Sequence, residues 1–189
     1  MDCIHRIKPS DWDNLVREKD YGIIDDDIRY FIFDFKAIVL KVKDNDFKKN
    51  IEFIISQYRN EFKSYEQYFI DSVINNYDNS YYIYLFKNNK IFGMVRSGVR
   101  KGKAEISMVY LLPDYRGKGY AFKMMKIFIN FLKKRDEIIK IGLSVEKENI
   151  SALNLYKKLE LNTECEKEEE LFENGFKIIY NMIYMSIIC

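Results

Sequence analysis

One stretch limits the possible folds of this chain more than any other: Pro113-Asp114-Tyr115-Arg116-Gly117-Lys118-Gly119-Tyr120-Ala121. Upstream, residues 104–111 are apolar and alternating enough to read as a strand, and Pro113 ends it because proline has no N–H for a ladder. Downstream, Ala121, Met124, Met125, Phe128 and Leu132 fall at helical spacing and mark one apolar face. The stretch is therefore a strand, a glycine-bearing turn and an amphipathic helix. Glycines there let the backbone approach a ligand. The first N–H groups of the helix have no intrahelical partner, and the helix dipole adds partial positive charge at that end. Such a junction suits an anion, phosphate above all, and Arg116 and Lys118 add formal charge. An ordinary strand–turn–helix junction with two convenient glycines would carry the same pattern. The GxxxxGK[ST] phosphate loop is absent, and a dinucleotide loop fails because Phe122 stands where its third glycine should be.

The surrounding elements define an α/β fold with a mixed, mostly antiparallel central sheet flanked by helices on both faces. Residues 81–86 and 91–99 flank the turn Lys87-Asn88-Asn89-Lys90 and read as a hairpin, with the strand at 104–111 as its third member. Residues 138–145 read as a strand. Ala152, Leu155, Tyr156 and Leu159 mark a second amphipathic helix. Residues 163–172 and 176–187 form a final hairpin around Glu173-Asn174-Gly175. Towards the N-terminus, residues 4–8 read as a short strand and Pro9-Ser10-Asp11 as a helix start. Asp25-Asp26-Asp27 reads as a loop, and residues 30–42 as either strand or buried helix. Phe47, Ile51, Ile54, Ile55 and Tyr58 give helical spacing, as do Tyr65, Tyr68, Phe69 and Val73. With only two prolines and no linker, residues 1–189 are expected to form a single domain with an enlarged helical region at about 20–75.

Two motifs in register resemble the GNAT acetyltransferase family. Arg116-Gly117-Lys118-Gly119-Tyr120-Ala121 matches the family's Arg/Gln-x-x-Gly-x-Gly/Ala loop, and Tyr110-Leu111-Leu112-Pro113 looks like the strand that leads into it. Asn149-Ile150-Ser151-Ala152-Leu153-Asn154-Leu155-Tyr156 matches Asn-x-x-Ala-x-x-Leu-Tyr. The family continues Lys-Lys-x-Gly-Phe. Here Lys157-Lys158-Leu159-Glu160-Leu161 puts Glu160 in place of the glycine and Leu161 in place of the aromatic. Arg6-Ile7-Lys8-Pro9-Ser10-Asp11 looks like the family's opening strand and turn. The resemblance is specific over residues 81–161.

The resemblance implies acetyl-CoA as cosubstrate. The backbone of Arg116, Gly117, Lys118, Gly119, Tyr120 and Ala121 would hold its pyrophosphate. The Leu111 N–H would polarise the acyl carbonyl, a one-donor oxyanion hole. Asn149 would contact the cofactor, although its residue type equally fits a helix cap. Tyr156 would be the acid that protonates the departing thiolate, or else a core tyrosine. Glu105 would be the general base. A period of two puts Glu105, Ser107, Val109 and Leu111 on one face, and a solvated strand-end glutamate is the competing reading. A primary ammonium, with pKa near ~10.4, must lose a proton before it attacks. Direct transfer in a ternary complex needs no covalent enzyme intermediate, which suits a chain without a Cys–His arrangement.

Composition narrows the partners. Lys and Arg total 31 against 29 Asp and Glu, a net charge of +2, so nothing marks a nucleic-acid surface. That weighs against a tRNA-acetylating toxin on the same fold. Cys3, Cys165 and Cys189 are scattered, and His5 is the one histidine. Neither a disulfide framework nor a metal site is expected, and the cytoplasm is the expected location. No run has the length of a membrane span and the first residues lack an apolar segment. The acceptor is expected to be a small amine or a protein amine. Asp25-Asp26-Asp27 and the acids Glu164, Glu166, Glu168, Glu169 and Glu170 would favour a cationic amine if they line its cleft. The stronger reading of the second group is a charged edge that protects a strand. Aromatic strands near the C-terminus could pair two copies into a homodimer. A catalytically silent acyl-CoA-binding module would keep the glycine loop and need neither Tyr156 nor Glu105.

Overall fold

The computed structural model describes residues 21–25, 28–34, 53–54, 56–58, 61, 80–88, 90–173 and 176–189. Eight strands run β1 (Tyr21–Asp25), β2 (Ile28–Asp34), β3 (Ser80–Lys87), β4 (Lys90–Arg100), β5 (Lys103–Leu111), β6 (Lys140–Glu146), β7 (Asn162–Glu173) and β8 (Phe176–Ile188). A 3-10 turn at Pro113–Tyr115 leads to helix α1 (Tyr120–Lys133), and α2 (Ile150–Lys158) follows β6. The sheet order is β1-β2-β3-β4-β5-β6-β8-β7. Every pairing is antiparallel except β5 with β6. This is the expected mixed α/β sheet. No helix among the described residues is long and apolar enough to cross a membrane.

The faces of the sheet follow from strand alternation. On one face, Ile83, Leu85, Val95, Ala104 and Ile106 pack with Met124, Met125, Phe128 and Leu132 of α1 and with Leu153, Tyr156 and Leu159 of α2 in one core cluster. These helical positions are the periodic ones in the sequence, with Leu153 added. On the other face, Tyr82, Tyr84, Met94 and Tyr110 are also buried. There the helical residues Ile54 and Tyr58 are buried, and the Tyr58 ring meets Tyr110 edge-on at 5.5 Å. Helical residues thus cover both faces.

Residues 21–34, expected within an enlarged helical region, form a β-hairpin instead. β2 pairs along its whole length with β3, from Ile28↔Lys87 to Asp34↔Tyr81. Pairing with an already formed strand settles what an apolar run leaves ambiguous, because short apolar runs carry no decisive period. The expected strand at 4–8, the helix start at 9–11, the helix at 65–73 and the Asn174-Gly175 turn lie outside the described residues.

Two irregularities, one in β5 and one at the end of α2, shape the ligand-facing side of the fold. Met108 sits at φ 53, and the pairing of β5 with β4 steps from Arg96↔Ser107 to Met94↔Tyr110. Met108 and Val109 thus face the single residue Val95, a β-bulge that reverses the alternation beyond it. At the end of α2, Leu161 N–H donates to Tyr156 O at 3.1 Å and Glu160 N–H to Lys157 O at 3.0 Å, with Glu160 at φ 65. That is a Schellman ending, in which the left-handed position normally falls to glycine. The helix ends as the family's does although Glu160 replaces the glycine, and the chain carries the strain. Glu160→Gly is expected to stabilise the fold by about 1 kcal/mol, the cost of a left-handed non-glycine residue, read as a higher urea midpoint at unchanged slope.

Candidate functional site

The β5–β6 pair is joined only from Lys103↔Lys140 to Ile106↔Leu143, although β5 continues to Leu111 and β6 to Glu146. Beyond that point the two parallel strands part. Leu112 N–H donates to Phe92 O at 2.8 Å, which makes Leu112 and Phe92 a hydrogen-bonded pair with β4. Antiparallel alternation then turns the Leu111 N–H and C=O away from β4 and towards the gap. The Leu111 carbonyl does accept a bond from that side, from Arg116 Nε at 2.9 Å. Gly93 stands opposite Leu111. A Cβ there would lie 2.4 Å from Leu111 Cδ2, so any larger residue would make this side chain shift from its path across β4.

Below the gap lies the glycine turn. Gly117 and Gly119 have φ of 70 and 80, and a Cβ on either would meet nothing within 4 Å. Glycine is needed here for the backbone conformation, and the space beside it is open. Gly119 precedes α1, whose first intrahelical bond runs from Lys123 N–H to Gly119 O, and no side chain caps this end. The N–H groups of Tyr120, Ala121 and Phe122 are therefore left to a ligand or to water. The turn is pinned from behind by aromatic packing, with Phe92 stacked on Tyr115 at 4.1 Å and edge-on to Tyr120 at 5.6 Å.

A cavity of about 970 Å³ joins these parts. The end of β5 contributes Val109, Tyr110 and Leu111. The turn and α1 contribute Arg116, Gly117, Gly119, Tyr120, Ala121, Phe122 and Lys123. Asn149 and α2 contribute Ser151, Ala152, Asn154, Leu155, Tyr156 and Lys158, and Glu61 reaches in from the opposite layer. Tyr156 is buried at 6% exposure, and burial pushes its phenol up to about 12. It is therefore protonated at neutral pH. Asn149 Oδ1 accepts the Ala152 N–H at 3.1 Å, so this side chain caps α2 at the cavity wall. The cap and the Schellman bond to the Tyr156 carbonyl fix both ends of the short helix that carries Tyr156.

Several expected residues are placed differently. Glu105 does not line the cavity. Its carboxylate pairs with Lys103 Nζ at 2.8 Å, and it stands opposite Gly142 in the joined part of the β5–β6 pair. The bulge at Met108 puts Leu111 and Val109 on the helix-covered face and leaves Glu105 and Ser107 on the other, so the four do not share a face. Six residues of strand, about 20 Å at 3.3 Å per residue, also separate Glu105 from Leu111. The charge of Arg116, a residue of the cavity lining, is paired within the protein. Its guanidinium grips the Glu61 carboxylate at 2.6 and 2.5 Å, and its N–H closes the 3-10 turn onto Pro113 O at 3.1 Å. Lys118 is outside the cavity lining and donates to Asp114 O at 2.7 Å. The hairpin acids behave as a guarded edge: β7 is the outermost strand, Glu164 pairs with Lys140, Glu166 with Lys147 at 2.6 Å, and Glu170 with Lys177 at 2.5 Å.

Sequence reading missed Glu61, Tyr110, Lys123 and Lys158. For Glu61 the signal was present. It lies at i+3 from Tyr58 and i+7 from Ile54, so an acid follows two buried positions on one helical stripe, at the point where the stripe reaches solvent.

The bulged end of β5, unpaired on its β6 side, and the uncapped glycine turn thus border one cavity. Residues 49–160 match the sequence profile of the Acetyltransferase (GNAT) family, and the chain belongs to that family. It is 34% identical over 73 residues to the spermidine N(1)-acetyltransferase of Escherichia coli (strain K12). That segment covers 39% of this chain and 39% of the relative's length. Among solved structures it resembles a spermidine/spermine N-acetyltransferase from Vibrio cholerae, with TM-score 0.53 and 23% identity over 62% of this chain and 72% of that one. It also resembles a GNAT family acetyltransferase from Elizabethkingia anophelis with acetyl-CoA bound, with TM-score 0.54 and 17% identity over 66% and 84% of the two chains.

The residues present fit acetyl-CoA. Uncapped N–H groups suit a pyrophosphate, Lys123 and Lys158 suit further anionic charge, and the parted strands offer unpaired backbone to amide groups. Gly119→Ala is expected to destabilise the fold by about 1–2 kcal/mol through its left-handed φ. The same change should weaken coenzyme A binding at least about fivefold, by moving the N–H groups that serve the phosphates. Calorimetric titration with coenzyme A on the folded variant checks this.

Proposed function

We propose that this protein transfers an acetyl group from acetyl-CoA to a primary amine. The observation that carries the reading is the meeting, in one cavity, of the outward-turned Leu111 backbone, the uncapped start of α1 and the buried Tyr156.

Bound acetyl-CoA supplies an activated acetyl thioester. The N–H groups of Tyr120, Ala121 and Phe122, with Gly117 and Gly119 keeping the approach clear, hold its pyrophosphate. The Leu111 N–H faces the parted strands and donates to the acyl oxygen, where negative charge grows as the amine nitrogen bonds to the carbonyl carbon. Tyr156 holds a proton at its phenol oxygen and gives it to sulfur as the C–S bond breaks. Its burial suits an acid rather than a base. The acceptor ammonium gives one proton to water before attack, and the second proton, lost once nitrogen has bonded to carbon, restores the Tyr156 phenol through water. Glu61 is the one carboxylate of the cavity lining among the described residues, and the Arg116 hydrogen bonds hold its carboxyl below the usual range, which makes it a poor proton acceptor.

The matched segment shared with a spermidine N(1)-acetyltransferase puts polyamines first among acceptors to test. The test is chromatographic detection of free coenzyme A from acetyl-CoA with pooled polyamines, amino acids, aminoglycosides and lysine peptides. Turnover in one pool is expected, and Tyr156→Phe should lower kcat by about 10²- to 10³-fold with little change in coenzyme A affinity. Coenzyme A binding without turnover in any pool would favour the silent module.

The pH dependence has a definite sign. Between pH 7 and 9, kcat/KM should rise as the acceptor loses its proton, about tenfold per unit below an amine pKa near ~10.4. Because Tyr156 stays protonated until about 12, no falling limb belonging to it should appear in that range. A fall between pH 7 and 9 that disappears in Tyr156→Phe would contradict this assignment.

A further inference from the structure

Glu61 is far from the glycine turn in sequence and lies in the layer that covers the opposite face of the sheet. Even so, both of its carboxylate oxygens engage Arg116, Oε1 with Nη1 at 2.6 Å and Oε2 with Nη2 at 2.5 Å. Tyr110 Oη donates to Oε2 at 3.2 Å, and the Arg116 guanidinium lies over the Tyr110 ring at 5.4 Å. A third donor of the guanidinium, Nε, binds the Leu111 carbonyl at 2.9 Å. The planar fork of arginine fixes these three contacts relative to one another. A carboxylate that holds the two terminal nitrogens therefore sets where Nε points.

The target of Nε is the Leu111 carbonyl at the end of β5, on the side that β6 has already left; from the other side β4 holds the strand, through Leu112 N–H on Phe92 O at 2.8 Å. A strand end held from one side only is a poor place for a donor that must aim at a developing charge. The clamp supplies the constraint that the missing partner would have supplied.

We propose that Glu61 is a positioning residue for acyl transfer, acting through Arg116 to hold the Leu111 backbone in the direction that the reaction needs. The inference rests on the acetyltransferase reading of the cavity. It explains why Arg116 is spent on an internal carboxylate instead of on phosphate, and it gives the segment before β3 a part in the reaction centre.

A double-mutant cycle tests it, using the full chain, acetyl-CoA and the best acceptor found by pooled assay. Glu61→Gln is expected to lower kcat by about ten- to a hundredfold, the scale of a small misplacement of reacting groups. Coenzyme A affinity, measured by calorimetry, should not fall, since the pyrophosphate donors are untouched and the Arg116 charge is no longer neutralised. Arg116→Gln should cost a similar factor in kcat. The double variant should cost no more than the worse single one, because both changes remove the same clamp. The ε-proton of Arg116, followed by nitrogen-15 NMR, should be protected from solvent exchange in the parent and exposed in Glu61→Gln. That reading does not depend on turnover. Multiplicative losses in the double variant, or an Arg116 ε-proton equally protected without the carboxylate, would overturn the proposal while leaving the acetyltransferase reading intact. A parent chain that binds coenzyme A but transfers to no acceptor would overturn that reading first and the proposal with it. If Glu61→Gln fails to fold, Tyr110→Phe keeps the test open. It removes one donor to Oε2 and should lower kcat measurably in the parent background but not in Arg116→Gln. Equal losses in both backgrounds would count against the clamp.

Discussion

The parting of β5 from β6 is the constraint on which the rest of the site depends. A sheet interior normally pairs every backbone N–H and C=O, and leaving them unpaired in a buried place costs free energy comparable to a lost hydrogen bond. Here the pairing stops after Ile106 and Leu143 while both strands run on. The bulge at Met108 bends β5 at that point. The cost is tolerable because the opening is a cavity open to water or ligand. The same logic holds a few residues later, where α1 begins at Gly119 without a side-chain cap. Two sets of unpaired backbone donors thus border one space. A ligand with anionic groups at one end and amide and thioester groups at the other satisfies both, and a simple anion would satisfy only one.

Much of this was legible in the sequence where a single rule governed the outcome. The i, i+3, i+4, i+7 pattern of α1 placed Met124, Met125 and Phe128 in the core, where they lie at 0% exposure. The glycine pair marked a turn that a ligand could approach, and both glycines adopt positive φ beside open space. Legibility failed where two rules competed. Strict alternation put Glu105 on the face of Leu111, and that is sound until a bulge intervenes. Nothing at Met108 warns of one, because a left-handed bulge residue is normally glycine or asparagine. The hairpin at 21–34 was hidden for a different reason: its strand character comes from pairing with β3, a contact that no local pattern encodes.

Glu160 and Glu61 illustrate the reverse error, in which residue type alone misleads. Glu160 stands where a helix-ending glycine belongs, yet the ending is retained, because the hydrogen bonds to Tyr156 O and Lys157 O and the burial of Leu161 at 3% exposure hold the left-handed position in place. The tertiary structure here overrides a local preference of about 1 kcal/mol. Glu61 ends a helical stripe with an exposed carboxylate, and its ion-pair partner is 55 residues further along the chain.

Neutralising Arg116 internally also changes how the turn can bind an anion. A guanidinium already held by a carboxylate contributes little net field to a phosphate beside it, since the two charges oppose each other at close range. Attraction must then come from oriented N–H groups and from Lys123 and Lys158, which line the cavity. Backbone donors act only at short range and only when aimed, so the conformation at Gly117 and Gly119 becomes the determining property of the turn. This accounts for the aromatic packing behind it: Phe92, Tyr115 and Tyr120 hold rigid a segment whose two glycines would otherwise leave it free to move. The arginine of the motif bonds the strand end and Glu61, while the space beside the two glycines is open, an arrangement that a count of positive charges along the turn would not reveal.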